Sequence, residues 1–196
     1  MPVLFVTGGS RGIGAEVARA AAAGGYDVAL TYADDATAAH EVTAAIEAAG
    51  RRALAIRCDV AREADVVAAF AAVDDAFGAP DAVVLNAGIT GGFCRVDEVD
   101  VAMVERVFAV NVFGAFTCAR EAVRRMSTAH GGRGGAIVLV SSRAASLGSP
   151  GEYVHYAASK GAVNTLTVGL AKEVAREGVR VNTISPGLVA TEIHAR

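Results

Sequence analysis

The chain has 196 residues, enough for about one domain of roughly 150 residues with a sizeable core. Apolar residues make up 53% and charged residues 20%, which excludes a disordered tail. The formal charge is −3, and Lys160 and Lys172 are the only lysines among eighteen basic residues, so there is no basic stripe for nucleic acid or an anionic membrane.

From the N-terminus, Val3 to Thr7 reads as a strand that runs at once into the loop TGGSRGIG, Thr7 to Gly14. A glycine loop between a strand and a helix lets backbone approach a pyrophosphate, and the helix N-terminus beyond it offers unpaired N–H groups and a positive dipole end. Gly8, Ser10, Arg11, Gly12, Ile13 and Gly14 are therefore candidate phosphate-binding residues. The glycine spacing is TGxxxGxG, which points to one branch of the dinucleotide-binding folds.

A helix over Ile13 to Ala23 is followed by a strand from Val28 to Tyr32, a helix from Ala36 to Ala49 and a strand from Ala53 to Cys58. Asp59 and Val60 end that third strand, where a carboxylate can reach the amino group of an adenine. After a helix over Glu63 to Phe77, the fourth strand, Ala82 to Leu85, delivers Asn86, Ala87 and Gly88 at its carboxyl end. A long helix over Val101 to Met126, a glycine-rich loop from His130 to Gly135 and a fifth strand over Ala136 to Ser141 come next. The last pieces are a helix from Tyr156 to Glu177 and a sixth strand, Arg180 to Ile184, with Pro186, Gly187, Val189 and Thr191 beyond it. Strands alternating with crossover helices predict an α/β, Rossmann-type doubly wound parallel sheet with helices on both faces.

The Val101 to Met126 helix is apolar nearly all round its middle, and an outer helix needs only one apolar stripe. A second apolar face predicts a partner, most simply another copy of the chain. Arg124 and Arg125 read as a solvated helix end, Cys58 and Cys118 as core and Cys94 as a loop residue. Three cysteines without a CxxC indicate neither a disulfide framework nor a metal site, and predict a reduced, intracellular compartment. No charged leader precedes the glycine loop and no run approaches the length of a membrane span, so a cytoplasmic protein without membrane contact is expected.

Tyr156 and Lys160, in YAASK, lie four residues apart and share a helix face. A phenol near pKa 10 needs about 4 kcal/mol of help to act as a base at pH 7, and one ammonium at about 4 Å supplies roughly that at an effective dielectric near 20. Ser142, at the end of the fifth strand, can hold a substrate oxygen near the phenol, with Ser141 a competitor for that role. His155 reads as pocket wall. No GxSxG supports hydrolase chemistry.

Through Thr7-Gly8, Gly12, Gly14, Asp59, Asn86-Ala87-Gly88, Asn111, Ser142, Tyr156, Lys160 and Pro186-Gly187, the whole chain resembles the short-chain dehydrogenase/reductase family. Its 3-oxoacyl reductases and sugar dehydrogenases are similar by overall look. The resemblance implies a single NAD(P)-binding Rossmann domain over residues 1–196 and a catalytic tetrad of Asn111, Ser142, Tyr156 and Lys160. Tyr156 would be the general acid/base, and Lys160 would lower its pKa and bind the nicotinamide ribose. Asn111 would hold a water that relays protons through Lys160. The reaction implied is hydride transfer between a nicotinamide and a small-molecule carbonyl or secondary alcohol. The alternative is a catalytically silent dinucleotide-binding regulatory or scaffold protein.

In that family an acidic residue at the end of the second strand commonly goes with NAD(H). Tyr32 and Ala33 stand there, and Arg11 can pair with a 2′-phosphate, which favours NADP(H) and leaves NAD(H) open through Asp34 and Asp35. The resemblance also implies a dimer or tetramer formed through the helices near Val101 to Met126 and Tyr156 to Glu177. It further implies a substrate lid, a helix and a seventh, edge strand, roughly fifty residues in all, beyond Arg196.

Overall fold

The computed structural model describes residues 1–191. Six parallel strands, β1 (Val3–Thr7), β2 (Asp27–Tyr32), β3 (Ala53–Arg57), β4 (Ala82–Leu85), β5 (Gly135–Val140) and β6 (Val179–Ile184), lie in the order β3-β2-β1-β4-β5-β6. Each strand starts and ends within a residue of its expected position. Between them run α1 (Gly12–Ala23), α2 (Ala36–Ala48), α3 (Glu63–Phe77), α4 (Val101–Phe108), α5 (Gly114–Met126), α6 (Ala144–Leu147) and α7 (Val154–Glu173).

The order reverses between β1 and β4, so the crossovers on either side leave a crevice at the carboxyl ends of those two strands. One face of the sheet packs Phe5, Val83, Ile137 and Leu139 against α3, α5 and α7 through Phe70, Cys118, Ala122 and Val163. The other packs Leu4, Val6, Val28 and Leu30 on Ala15, Ala18 and Ala22 of α1 and on Ala39, Val42 and Ile46 of α2. Alanine on the sheet-facing side of α1 lets its backbone lie close to β1 and β2.

Four features depart from expectation. The single helix over 101–126 is broken by a π-helical turn, Ala109–Phe113, which centres on Asn111 and rotates the two flanking helices relative to one another. Val107, Val110, Val112, Cys118, Ala119 and Ala122 are buried, whereas Phe113 and Phe116 are 63% and 52% exposed, so within one chain the second apolar face is bare. Part of this stretch has a mean hydropathy of 1.5, enough by length and composition for a membrane span, contrary to the expectation that no run would qualify. Its packing on α3, β4 and β5 makes it a core-facing helix. Arg125, expected in solvent, is only 18% exposed, bonds Asp74 and the buried carboxylate of Glu121, and lies over the Phe70 ring. Finally, α7 starts at Val154, two residues before Tyr156. The implied lid and seventh strand lie outside the described residues.

Candidate active site

The glycine loop is held from both neighbouring strands. The Gly8 N–H donates to the Thr31 hydroxyl at the end of β2, and the Gly9 N–H donates to the Thr31 carbonyl. On the β4 side, the Thr7 hydroxyl accepts from the N–H groups of Asn86 and Ala87, while the Asn86 side-chain amide donates to the carbonyls of Thr7 and Gly8. Asn86 thus braces the loop with its side chain. A Cβ on Gly14 would lie 2.2 Å from the Gly8 carbonyl oxygen and 2.5 Å from the Asn86 amide nitrogen, so this glycine is where the first helix turn packs onto the loop. Gly12 has φ +54°, a left-handed conformation that glycine adopts without strain, and Thr191 lies against it.

Beyond this loop, α1 begins without a side-chain cap and with no acid in its first turn. Its first N–H groups are donors in need of an acceptor, and they sit at the strand tips beside the switch point. The chemistry of this donor set fits a dinucleotide pyrophosphate.

On the β5 side, Tyr156 and Lys160 are 8% and 4% exposed. The Ser142 hydroxyl lies near enough to the Tyr156 phenol to favour its ionised form, and it accepts from the Ala144 N–H at the start of α6. Ser141, the competitor, is buried and donates to the Lys160 carbonyl, so it braces α7 on β5. The Lys160 ammonium donates to the Val140 carbonyl at 2.7 Å and stands 5.7 Å from the centre of the Tyr156 ring. Gly88 borders both the ammonium and Asn111, each 3.3 Å from where a Cβ would be.

A family model described as short chain dehydrogenase matches residues 2–196. The chain belongs to that family. An uncharacterized oxidoreductase of Escherichia coli, YgfF, is 50% identical over 195 residues, covering 100% of this chain and 79% of that protein. The L-rhamnose 1-dehydrogenase (NAD(P)(+)) of a Sphingomonas species is 40% identical, covering 97% of this chain and 74% of the relative. A short chain dehydrogenase of Burkholderia cenocepacia, solved in complex with NADP, superposes with a TM-score of 0.92 at 38% identity over 98% of this chain and 76% of its own.

Within this short-chain dehydrogenase, two features bear on the groups expected to handle protons. With protein groups alone, Tyr156 is not lowered: burial raises its pKa above the ordinary phenol value, and the nearby Ser142 hydroxyl offsets only part of the rise. Burial acts on Lys160 as well, pushing it down to about 8. The ammonium faces the Val140 carbonyl, so Lys160 by itself does not produce the expected lowering. Second, both N–H donors of the Asn111 side chain are taken up, one by the Ile89 carbonyl and one by the Ser159 hydroxyl, while its oxygen accepts from the Ile89 N–H. Both side-chain N–H groups of Asn111 are thus committed to the fold. Ser159 in turn donates to the Tyr156 carbonyl, so Asn111 positions the first turn of α7 through a residue that the sequence reading passed over.

His155 is buried, its Nε2–H donating to the Thr90 carbonyl, and it fastens the 90–94 segment to α7 as a wall. On the β3 side, one Asp59 oxygen accepts from the Ala61 N–H and the other pairs with Arg106 of α4 at 3.0 Å. Arg106 was not legible as a member of the site, because its partner lies 47 residues away in sequence. Val60 is buried against Gly114. The Pro186 carbonyl accepts from the Arg143 N–H, next to Ser142, while Gly187 and Val189 are exposed.

Proposed function

We propose that the chain is an oxidoreductase that exchanges hydride between a nicotinamide dinucleotide, NADP(H) in preference to NAD(H), and a small-molecule carbonyl or secondary alcohol. The observation that carries this reading is a single constellation. The Tyr156 phenol, with the Ser142 hydroxyl near it, stands one helical turn from the buried Lys160 ammonium, at the carboxyl end of β5.

The N–H groups at the start of α1 and the loop residues Gly8, Ser10, Arg11, Gly12, Ile13 and Gly14 hold the pyrophosphate. Asp59 and Val60 border the adenine, Ala87 and Gly88 line the floor of the crevice, and Pro186, Gly187, Val189 and Thr191 close it from the β6 side. The bound nicotinamide supplies the hydride or accepts it. Tyr156 gives its proton to the carbonyl oxygen during reduction and takes it back during alcohol oxidation. Ser142 holds that oxygen, and Lys160 turns its ammonium toward the ribose.

Three observations favour NADP(H). Arg11 is exposed and has no ion-pair partner among the described residues. Tyr32 ends β2 where an acid would bind both ribose hydroxyls. The Asp35 carboxylate is engaged as the cap of α2, accepting from the Ala38 N–H. The exposed Phe113 and Phe116 on the π turn and α5, with Val168 on α7, form the face through which two or more copies associate.

The test is Tyr156→Phe. Carbonyl reduction should fall by about a thousandfold while NADPH affinity stays within about threefold, since the phenol acts on the proton and the cradle lies elsewhere. Equal turnover by the variant, across a panel of aldehydes and ketones, would remove Tyr156 from the mechanism.

A further inference from the structure

At the tips of β2 and β3 stands a cation that the site described above does not use. Tyr32 and Arg57 are register partners, so their side chains leave the sheet on the same face, one strand apart. Arg57 is exposed, and its Nε–H donates to the carbonyl of Ala33, the residue directly after Tyr32. That single bond fixes the stem of the side chain and leaves the two terminal nitrogens of a planar fork available. Among the described residues Arg57 has no carboxylate partner, although Arg51, Arg52, Arg62, Arg95, Arg106, Arg120, Arg124 and Arg125 all have one.

The edge in question is where a Rossmann site meets the adenosine ribose, about twenty residues after the glycine loop. The loop reaches this edge through the bonds of Gly8 and Gly9 to Thr31, which brings Arg11 to the same end of β2. Asp35 caps α2, so the exposed Asp34 is the remaining carboxylate beside Ala33. Two exposed arginines, Arg11 and Arg57, therefore belong to elements that meet at this edge, beside Asp34 and the capping Asp35.

Resting on the nicotinamide dinucleotide reading above, we infer that Arg57 is a specificity-determining residue that binds the adenosine 2′-phosphate together with Arg11. The Ala33 carbonyl pre-orients the Arg57 fork, and a dianionic phosphate accepts two of its remaining N–H groups. Because the contact is exposed, its contribution falls as salt rises.

The experiment measures dissociation constants by fluorescence titration and calorimetry for the wild type, Arg57→Gln and Arg57→Lys, with NADPH, NADH, 2′,5′-ADP and 5′-AMP as probes. Arg57→Gln should weaken NADPH and 2′,5′-ADP about tenfold while NADH and 5′-AMP stay within twofold; Arg57→Lys should recover part of the loss, and added salt should narrow the gap. The unchanged NADH affinity serves as the check on folding. An unchanged NADPH affinity in Arg57→Gln, or an equal loss with both cofactors, overturns the role of Arg57 and leaves the oxidoreductase reading standing. A wild-type protein that binds neither NADPH nor NADH overturns both.

Discussion

At the β1, β2 and β3 tips the charged groups Arg11, Asp34 and Arg57 stay in solvent and the glycine loop is fixed by backbone and hydroxyl contacts, whereas at the β4 and β5 tips Asn111, Tyr156, Ser159 and Lys160 are all buried. The first region has little room but tolerates changes of charge, because water solvates whatever its side chains carry. The second region has side chains to choose from but no water to solvate them, so each protonation state there is coupled to the folding free energy. On the proposed function, recognition falls where charge is cheap, and proton transfer where burial acts on the pKa values of its groups.

Three substitutions probe this contrast. The largest effect is expected from Gly14→Ala. Its added carbon would lie 2.2 Å from the Gly8 carbonyl, a backbone atom that cannot swing aside, so the loop must move. NADPH affinity should drop more than a hundredfold by fluorescence titration, and a loss under threefold would show that the loop region is softer than its packing implies.

Next comes Lys160→Met, followed across pH by denaturant unfolding. In the folded wild type, burial pushes Lys160 down to about 8 from the ordinary lysine value of 10.5. Below about pH 8 both folded and unfolded chains hold the proton, and the burial cost is at full size. Between about pH 8 and 10.5 only the unfolded chain keeps it, so the wild type gains stability with rising pH and levels off above that window. Relative to Lys160→Met, which lacks this group, the wild type should gain at most about 3 kcal/mol across the window. A flat difference would mean that Lys160 is better solvated than the contacts around it allow.

The smallest effect is expected from Asp35→Ala, which removes the cap on α2. About 1 kcal/mol of stability should be lost, with the NADPH to NADH affinity ratio unchanged. A shift in that ratio would place the Asp35 carboxylate at the ribose after all.

Legibility in the sequence divides along the same line. All six strands, the glycine loop and the spacing of Tyr156 and Lys160 could be read because each depends on residues close in the chain: apolar runs, turn glycines and a helix repeat. The π turn could not be read, since Val107 to Phe116 is as compatible with a regular helix, and the extra residue depends on Asn111 reaching Ile89 and Ser159. Arg106 and Arg125 looked like ordinary surface arginines until folding brought Asp59 and Asp74 beside them. The direction of the Tyr156 shift was hidden for a related reason: a ladder of charges can be counted from spacing, but burial belongs to the whole fold.

Only two side chains in the chain carry a primary amine, the exposed Lys172 near the end of α7 and the enclosed Lys160 in its first half. An amine-directed label therefore meets one open target on this helix and one closed target on the same element. Acylation of Lys172 marks time in solution, and acylation of Lys160 registers each separation of α7 from β5, so the ratio of the two modified peptides is an internal clock for local opening of the chemical half of the site.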